Sequence, residues 1–277
     1  MSKYENYSEV AQHYDTTRQP IGSEILLGAL ALARQSGAPF RLLDAGCGTG
    51  AYAHLVLPHV DHLEAIDINP GMLAVAQQKL ADGAKDCRIA FHQGSIESLP
   101  FETAHFDGVM FNQVLHHLET GGDGGFSGHR SALAEAHRVL RPGGVVSVNC
   151  CSHKQLRQGF WFMHLIPTAL EKLFGRCIPA AELEVMLGEL GFAVEGRFVP
   201  LDGVLQGAAY ADAEGPLKPE WRKTDSSWAL APAGEIAAAE AKIRELREMG
   251  GLDSYLAESD APRRQVGQTT FFVARKI

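Results

Sequence analysis

From residue 41 onward, short apolar or β-branched runs alternate with longer segments whose apolar residues recur at helical spacing, the pattern of parallel strands covered by helices. The first run, Arg41-Leu42-Leu43-Asp44-Ala45, stops at a cluster of glycines, and the second, His62-Leu63-Glu64-Ala65-Ile66-Asp67, ends in an acid. Asn69-Pro70 follows, a cap residue and a first-turn proline, which predicts a helix over 70–82. Further strands are predicted at 88–93, 106–111 and 145–150, the last after a helix that Leu140-Arg141-Pro142-Gly143-Gly144 ends in a turn. A helix over 24–35 and strands over 192–199 and 269–275 complete the pattern. The expected fold is a three-layer, Rossmann-like α/β domain with a seven-stranded, mostly parallel sheet and helices on both faces.

Two stretches break the alternation. Residues 151–190 carry the aromatic run Phe160-Trp161-Phe162, and residues 202–267 carry Trp221, Trp228 and a helix predicted over 235–249. That helix sets Ile236, Ala239, Ile243 and Leu246 on one stripe, with Glu240 and Arg244 four apart on its polar side. Both stretches read as cap insertions over one end of the sheet, because ligands of open α/β folds sit beyond the carboxyl ends of the strands. The 277 residues are expected to form a single domain, 1–277, with these insertions.

Composition narrows the partners. The 33 acidic and 25 basic side chains leave a net charge of −8, which counts against a polyanion, so no nucleic acid is expected. No apolar run approaches the roughly 20 residues of a transmembrane helix. The N-terminal MSKYENYSEV has no export pattern, and five cysteines without a C-x-x-C pair fit a reducing, cytoplasmic setting with no metal site. Monomer and homodimer both remain open.

The segment Asp44-Ala45-Gly46-Cys47-Gly48-Thr49-Gly50 turns a buried strand into a helix through glycines, where a backbone can approach a ligand closely. Gly46-x-Gly48-x-x-Ala51 also satisfies a dinucleotide pattern, so an NAD(P)-dependent oxidoreductase stands as an alternative. Other blocks accompany the loop: Asp67 after the next strand, Gly94-Ser95-Ile96-Glu97-Ser98-Leu99-Pro100-Phe101, the run from Phe106-Asp107 through Asn112-Gln113-Val114-Leu115-His116-His117-Leu118, and Leu140-Arg141-Pro142-Gly143-Gly144. Together they closely resemble the class I S-adenosylmethionine-dependent methyltransferases. The nearest subgroup includes the ubiquinone and menaquinone methyltransferases and many small-molecule enzymes. The likeness is strong over 1–150 and weak over 178–199.

The resemblance implies S-adenosyl-L-methionine as cofactor and assigns roles to particular residues. Asp67 would accept both ribose hydroxyls, since two carboxylate oxygens suit a vicinal diol. Gly46, Gly48 and Gly50 would line the amino acid end, with Asp44 bearing on its ammonium and Asn112 offering a main-chain carbonyl. Ile68, Met72 and Ile96 would sandwich the adenine, and Ser95, where the family more often has an acid, would meet its polar edge. Residues 1–20 would form an N-terminal lid that brings Tyr14 to the sulfonium and Arg18 to the cofactor carboxylate.

The acceptor side is less determined. A small, partly apolar metabolite is expected, methylated on oxygen, nitrogen, sulfur or carbon. A phenol, acid or thiol would need a base, for which His117, beside His116, is the candidate. Gln113 faces cofactor or acceptor, and Trp221 and Trp228 are candidates for the acceptor pocket. Asn112-Gln113-Val114-Leu115 stands where amino methylases of DNA bases carry (D/N)-P-P-(Y/F), against that activity. Cys150, Cys151 and Cys177 raise trivalent arsenic as an alternative acceptor, with buried packing as the plainer role of the thiols. A non-catalytic protein that binds S-adenosylmethionine is the remaining alternative.

Overall fold

The computed structural model describes residues 19–35, 37–121, 125–223 and 225–277, and in it the apolar runs form one seven-stranded sheet ordered β3-β2-β1-β4-β5-β7-β6. The strands are β1 (Arg41–Ala45), β2 (His62–Asp67), β3 (Ile89–Gln93), β4 (Phe106–Asn112), β5 (Leu140–Cys150), β6 (Phe192–Phe198) and β7 (Thr270–Lys276). β1 to β5 pair in parallel, and β7 runs against both neighbours, β5 and β6. Strand order reverses between β1 and β4, and at such a reversal the outgoing connections diverge and leave a crevice at the carboxyl ends.

Side chains alternate across each strand, and both faces are covered, so the central strands are apolar almost throughout. Leu43, Val109, Phe111, Val146, Val148 and Phe272 pack on one face with the helices Ser127–Val139 and Ala180–Glu189. Leu42, Met110, Val145, Phe271 and Val273 pack on the other with the helices Ser23–Ala33 and Ala51–Val56. Each fully buried Leu, Val or Phe contributes about 1.5–3 kcal/mol relative to exposure, so these faces hold the sheet that carries the site.

Residues 180–189, within the expected first cap insertion, thus bury Leu183, Met186 and Leu187 against the sheet. The remaining cap residues form a separate cluster around Trp161, Phe162, Trp221 and Trp228, joined by Ala239 and Ile243 of the helix Ala233–Glu248. On that helix Arg244 and Glu240 pair at 2.7 Å, as their spacing predicts.

Two local outcomes differ from the sequence pattern. The helix predicted over 70–82 ends at Lys79 and is followed by a separate turn, Ala81–Lys85. β5 begins at Leu140, directly after the helix stop, and not at 145. Leu140 pairs with Phe106 and pairing resumes at Val145 with Gly108, so Pro142-Gly143-Gly144 becomes an irregular stretch of strand with Gly143 at φ +77°. No helix among the described residues is long and apolar enough to cross a membrane.

Candidate functional site

A cavity of about 380 Å³ opens beyond the carboxyl ends of β1, β2 and β4, within the roughly 300–1,000 Å³ usual for small-molecule sites. Asp44, Asp67 and Asn112 reach it from those three strands, and Gln19, Pro20, Leu205 and Ser226 close it from the N-terminal segment and the cap.

The glycine turn is shaped for contact with a ligand. Gly46 has φ +82°, and a Cβ there would stand 2.4 Å from Val114 Cγ2, so only glycine fits beneath the chain that leaves β4. Gly48, at φ +53°, has nothing within 4 Å of its Cβ position and presents bare main chain to the cavity. Gly50 departs from its expected role. It is not on the cavity wall; its Cβ position faces Ala76 and Leu80 at 3.1 Å, which makes it the glycine of close helix packing.

Asp67 Oδ2 accepts the Gly48 N–H at 2.8 Å and Oδ1 accepts the Asn69 N–H at 2.8 Å. Burial raises its carboxyl above the ordinary value, against the lowering effect of these N–H donors. Each carboxylate oxygen has two acceptor sites, so the carboxylate keeps acceptor capacity beyond these two bonds. Asn69 caps the next helix, its Oδ1 accepting from Gly71 and Met72 at 2.8 and 3.1 Å, and thereby fixes the turn on which Ile68 and Met72 sit.

Asp44 is the least expected group energetically. It is 1% exposed, and neither carboxylate oxygen has a hydrogen-bond partner among the described residues. Burial first, and the charge of Asp67 second, raise its carboxyl to about 8. A buried carboxyl without a partner costs free energy that a cationic ligand group would recover. The amide nitrogen of Asn112 is likewise buried and unpaired beside it on the wall.

Ile68, Met72, Ser95 and Ile96 also line the cavity, Ile68 at 42% exposure and the other two apolar side chains buried. Ser95 Oγ accepts the Glu97 N–H at 3.2 Å and so bends its own loop. That loop is held from behind by Glu135, which accepts the Leu99 N–H at 2.7 Å, and by Arg138, which donates to the Leu99 and Phe101 carbonyls. Asp107, from the run that also carries Asn112, serves the far end of β4, where it accepts from the Arg41 N–H and pairs with Arg141 at 2.8 Å.

His116 and His117 lie on the wall with ring centroids 4.0 Å apart, and Gln113 lies on it with φ +52°. Trp221 and Trp228, expected at the acceptor, are not on this wall. They pack with Phe162 at ring distances of 5.3 and 5.8 Å in the cap core, because indole area is worth more buried than lining a polar cleft. The cap instead contributes Ser226, from the polar run between the two tryptophans, and Leu205, which no sequence signal marked. Tyr52, two residues past Gly50, and the buried Asn149 carry no mark in the sequence reading; the first could be found as a first-turn helix residue beside the glycines. Cys150 and Cys177 are buried, which pushes the Cys177 thiol up to about 12 and Cys150 higher still, so both stay protonated and the arsenic alternative is not favoured. Tyr14 and Arg18, with most of the expected lid 1–20, lie outside the described residues.

Comparison with known proteins agrees with this reading. Residues 43–148 match the family described as a methyltransferase domain. A malonyl-acyl-carrier-protein O-methyltransferase of Dechloromonas aromatica is 38% identical over 128 residues, 44% of this chain and 42% of that protein. A ubiquinone/menaquinone biosynthesis C-methyltransferase of Methylobacterium nodulans is 33% identical over 151 residues, 50% of this chain and 55% of that protein. The chain thus spans about half the length of these curated relatives. A solved structure assigned as a methyltransferase from an antibiotic biosynthesis pathway of Anabaena variabilis superposes with a TM-score of 0.68, covering 95% of this chain and 100% of that one. Its 18% identity makes that a likeness of fold. The matched segment carries the glycine turn, the acid of β2 and the wall after β4, and over residues 43–148 the chain is similar to methyltransferase domains.

Proposed function

We propose that the protein moves the methyl group of S-adenosylmethionine to a small, partly apolar acceptor held between the cap and the end of β4. The observation that carries this reading is the unpartnered carboxyl of Asp44 on the cavity wall beside the glycine turn. A dinucleotide would bring a pyrophosphate to this turn, against the buried acid. The amino acid end of S-adenosylmethionine brings an ammonium, which draws Asp44 into its ionised form.

When bound, the cofactor supplies a methyl group on a sulfonium, ready for in-line displacement without a covalent enzyme intermediate. The chain supplies the rest. Asp67 holds the diol with the acceptor capacity its carboxylate keeps beyond the Gly48 and Asn69 bonds. Ile68, Met72 and Ile96 give apolar cover to the base, with Ser95 at its edge. Pro20, Leu118 and Leu205 exclude water from the space where a nucleophile must approach to about 3 Å. His117, with His116 against it, takes the proton from a phenol or thiol acceptor. Leu205 and Ser226 set which acceptor fits.

The test compares thermal stabilisation by S-adenosylhomocysteine and by NAD(H), then follows release of S-adenosylhomocysteine with a panel of small phenols, amines, thiols and carbon acids. Stabilisation by S-adenosylhomocysteine with turnover of one acceptor class is expected. Stabilisation confined to NAD(H) would give the oxidoreductase reading, and tight binding without turnover across the panel would give a binding protein.

A further inference from the structure

We infer that Asn149 is a positioning residue for this site, one that acts from behind the cavity wall; the inference rests on the methyltransferase reading above. Its side chain is 1% exposed on β5 and every hydrogen-bonding group of its amide is engaged. Nδ2 donates to the Tyr52 hydroxyl at 2.9 Å and to Asn112 Oδ1 at 3.5 Å. Oδ1 accepts from Gln113 Nε2 at 3.1 Å and from the Thr269 hydroxyl. Gln113 Nε2 also donates to Thr269 Oγ1 at 2.7 Å, which closes a triangle of side chains.

Donors and acceptors balance around this network. The Thr269 hydroxyl gives its proton to Asn149 and accepts from Gln113, and the Tyr52 hydroxyl accepts from Asn149 while donating to the Ile21 carbonyl at 3.1 Å. Three of the partners, Tyr52, Asn112 and Gln113, stand on the cavity wall, and they come from the helix after the glycine turn and from the end of β4. One amide therefore sets side chains on both sides of the cleft.

Gln113 depends on it most. Its φ of +52° is a conformation that residues other than glycine rarely adopt; its N–H is held by the Asn149 main-chain carbonyl at 2.8 Å, which any residue at 149 supplies, while its side-chain Nε2 relies on Asn149 Oδ1. The main chain of Asn112 is secured separately, by its ladder pairing with Asn149, whatever side chain residue 149 carries. Loss of the amide should therefore release the Gln113 and Tyr52 side chains while leaving the cofactor-binding main chain in place. Small misplacements at a reacting centre cost rate steeply, by up to ~100-fold for about 1 Å.

The test measures Asn149→Leu, Asn149→Asp, Thr269→Val and Thr269→Ser alongside the parent protein. S-adenosylhomocysteine affinity is read by calorimetry, turnover on the acceptor panel by S-adenosylhomocysteine release, and hydrogen exchange of the Gln113 side-chain amide by NMR in the S-adenosylhomocysteine complex. Asn149→Leu and Thr269→Val should speed exchange of the Gln113 amide and lower kcat by at least ~10-fold, with affinity within about threefold of the parent. Thr269→Ser, which keeps the hydroxyl, should restore both. Unchanged exchange of the Gln113 amide in Asn149→Leu overturns the inference. So does a parallel fall of affinity, turnover and Tm by one factor, in Asn149→Asp and Thr269→Val alike. A parent protein that does not bind S-adenosylhomocysteine defeats the proposed function instead, and the titration shows that before any variant is compared.

Discussion

The acid of β2 and the glycine turn of β1 are joined directly: Asp67 Oδ2 accepts the Gly48 main-chain N–H at 2.8 Å. The two features that would hold the sugar and the amino acid end of one cofactor are thus a single hydrogen-bonded unit, built from adjacent parallel strands whose register places Asp44 opposite Ala65. Its other oxygen carries the unit on to Asn69 and the helix that supports Met72.

The three glycines of the turn should separate by role when replaced with alanine. Gly48→Ala adds a methyl group where nothing lies within 4 Å, so its folding cost is the left-handed backbone alone, about 1–2 kcal/mol, while S-adenosylhomocysteine binding suffers more. Gly46→Ala meets Val114 at 2.4 Å and should lower Tm the most of the three. Gly50→Ala crowds Ala76 and Leu80 and should cost stability with little direct effect on affinity. Thermal melts paired with calorimetric titrations read both quantities.

Asp44 makes stability and cofactor affinity depend on pH in opposite directions. Its carboxyl is raised from 3.8 to about 8, so between those values the ligand-free folded protein keeps a proton that the unfolded chain has released. Its contribution to stability is full below pH 3.8 and is lost as pH rises through 8. An ammonium-bearing ligand selects the ionised form, so affinity should climb toward pH 8, by at most about tenfold per pH unit, and then level off. Titrations with S-adenosylhomocysteine from pH 6 to 9 should show this slope in the parent and none in Asp44→Asn.

How far the sequence reaches is clear from individual residues. β1, β2 and β4 were legible because their apolar runs are bounded by glycine, Asp67 and Asn112, and these same boundary residues line the cavity. The extension of β5 back to Leu140 was not legible, since a Pro-Gly-Gly signal describes local preference while the strand beside it decides pairing. The cap was misjudged in detail for a similar reason: Trp221 and Trp228 are prominent in sequence, yet large rings are drawn into the cap core by their area. Ser226 lies in the polar run between those tryptophans, whereas Leu205 reaches the cavity through tertiary placement alone. Asn149 was hidden because a buried amide in a strand has no periodic signature.

The cap supplies a contrast that mutagenesis can read. Leu205→Phe and Ser226→Leu should change acceptor KM while leaving S-adenosylhomocysteine affinity within about twofold, a change below 0.5 kcal/mol. Trp221→Ala should cost roughly 3–5 kcal/mol of stability through the cavity it leaves among Trp161, Phe162 and Trp228.

His129 offers a test of stability away from the site. It is fully buried in the helix Ser127–Val139, edge-on to Phe126 at 5.0 Å, with neither ring nitrogen partnered among the described residues. Burial lowers its pKa from 6.5 to about 4, so its contribution is present above pH 6.5 and lost as pH falls through 4. His129→Leu should be neutral or stabilising at pH 7 and gain about 2 kcal/mol over the parent at pH 5, as measured by denaturant unfolding.

The most direct measurement is the S-adenosylhomocysteine dissociation constant of Asp67→Ala against the parent at pH 8. Loss of the acid proposed to hold the ribose diol should weaken binding by at least ~10-fold, the equivalent of about 1.4 kcal/mol. Equal affinity in the two proteins, with Asp67→Ala still folded by its thermal melt, would contradict the account.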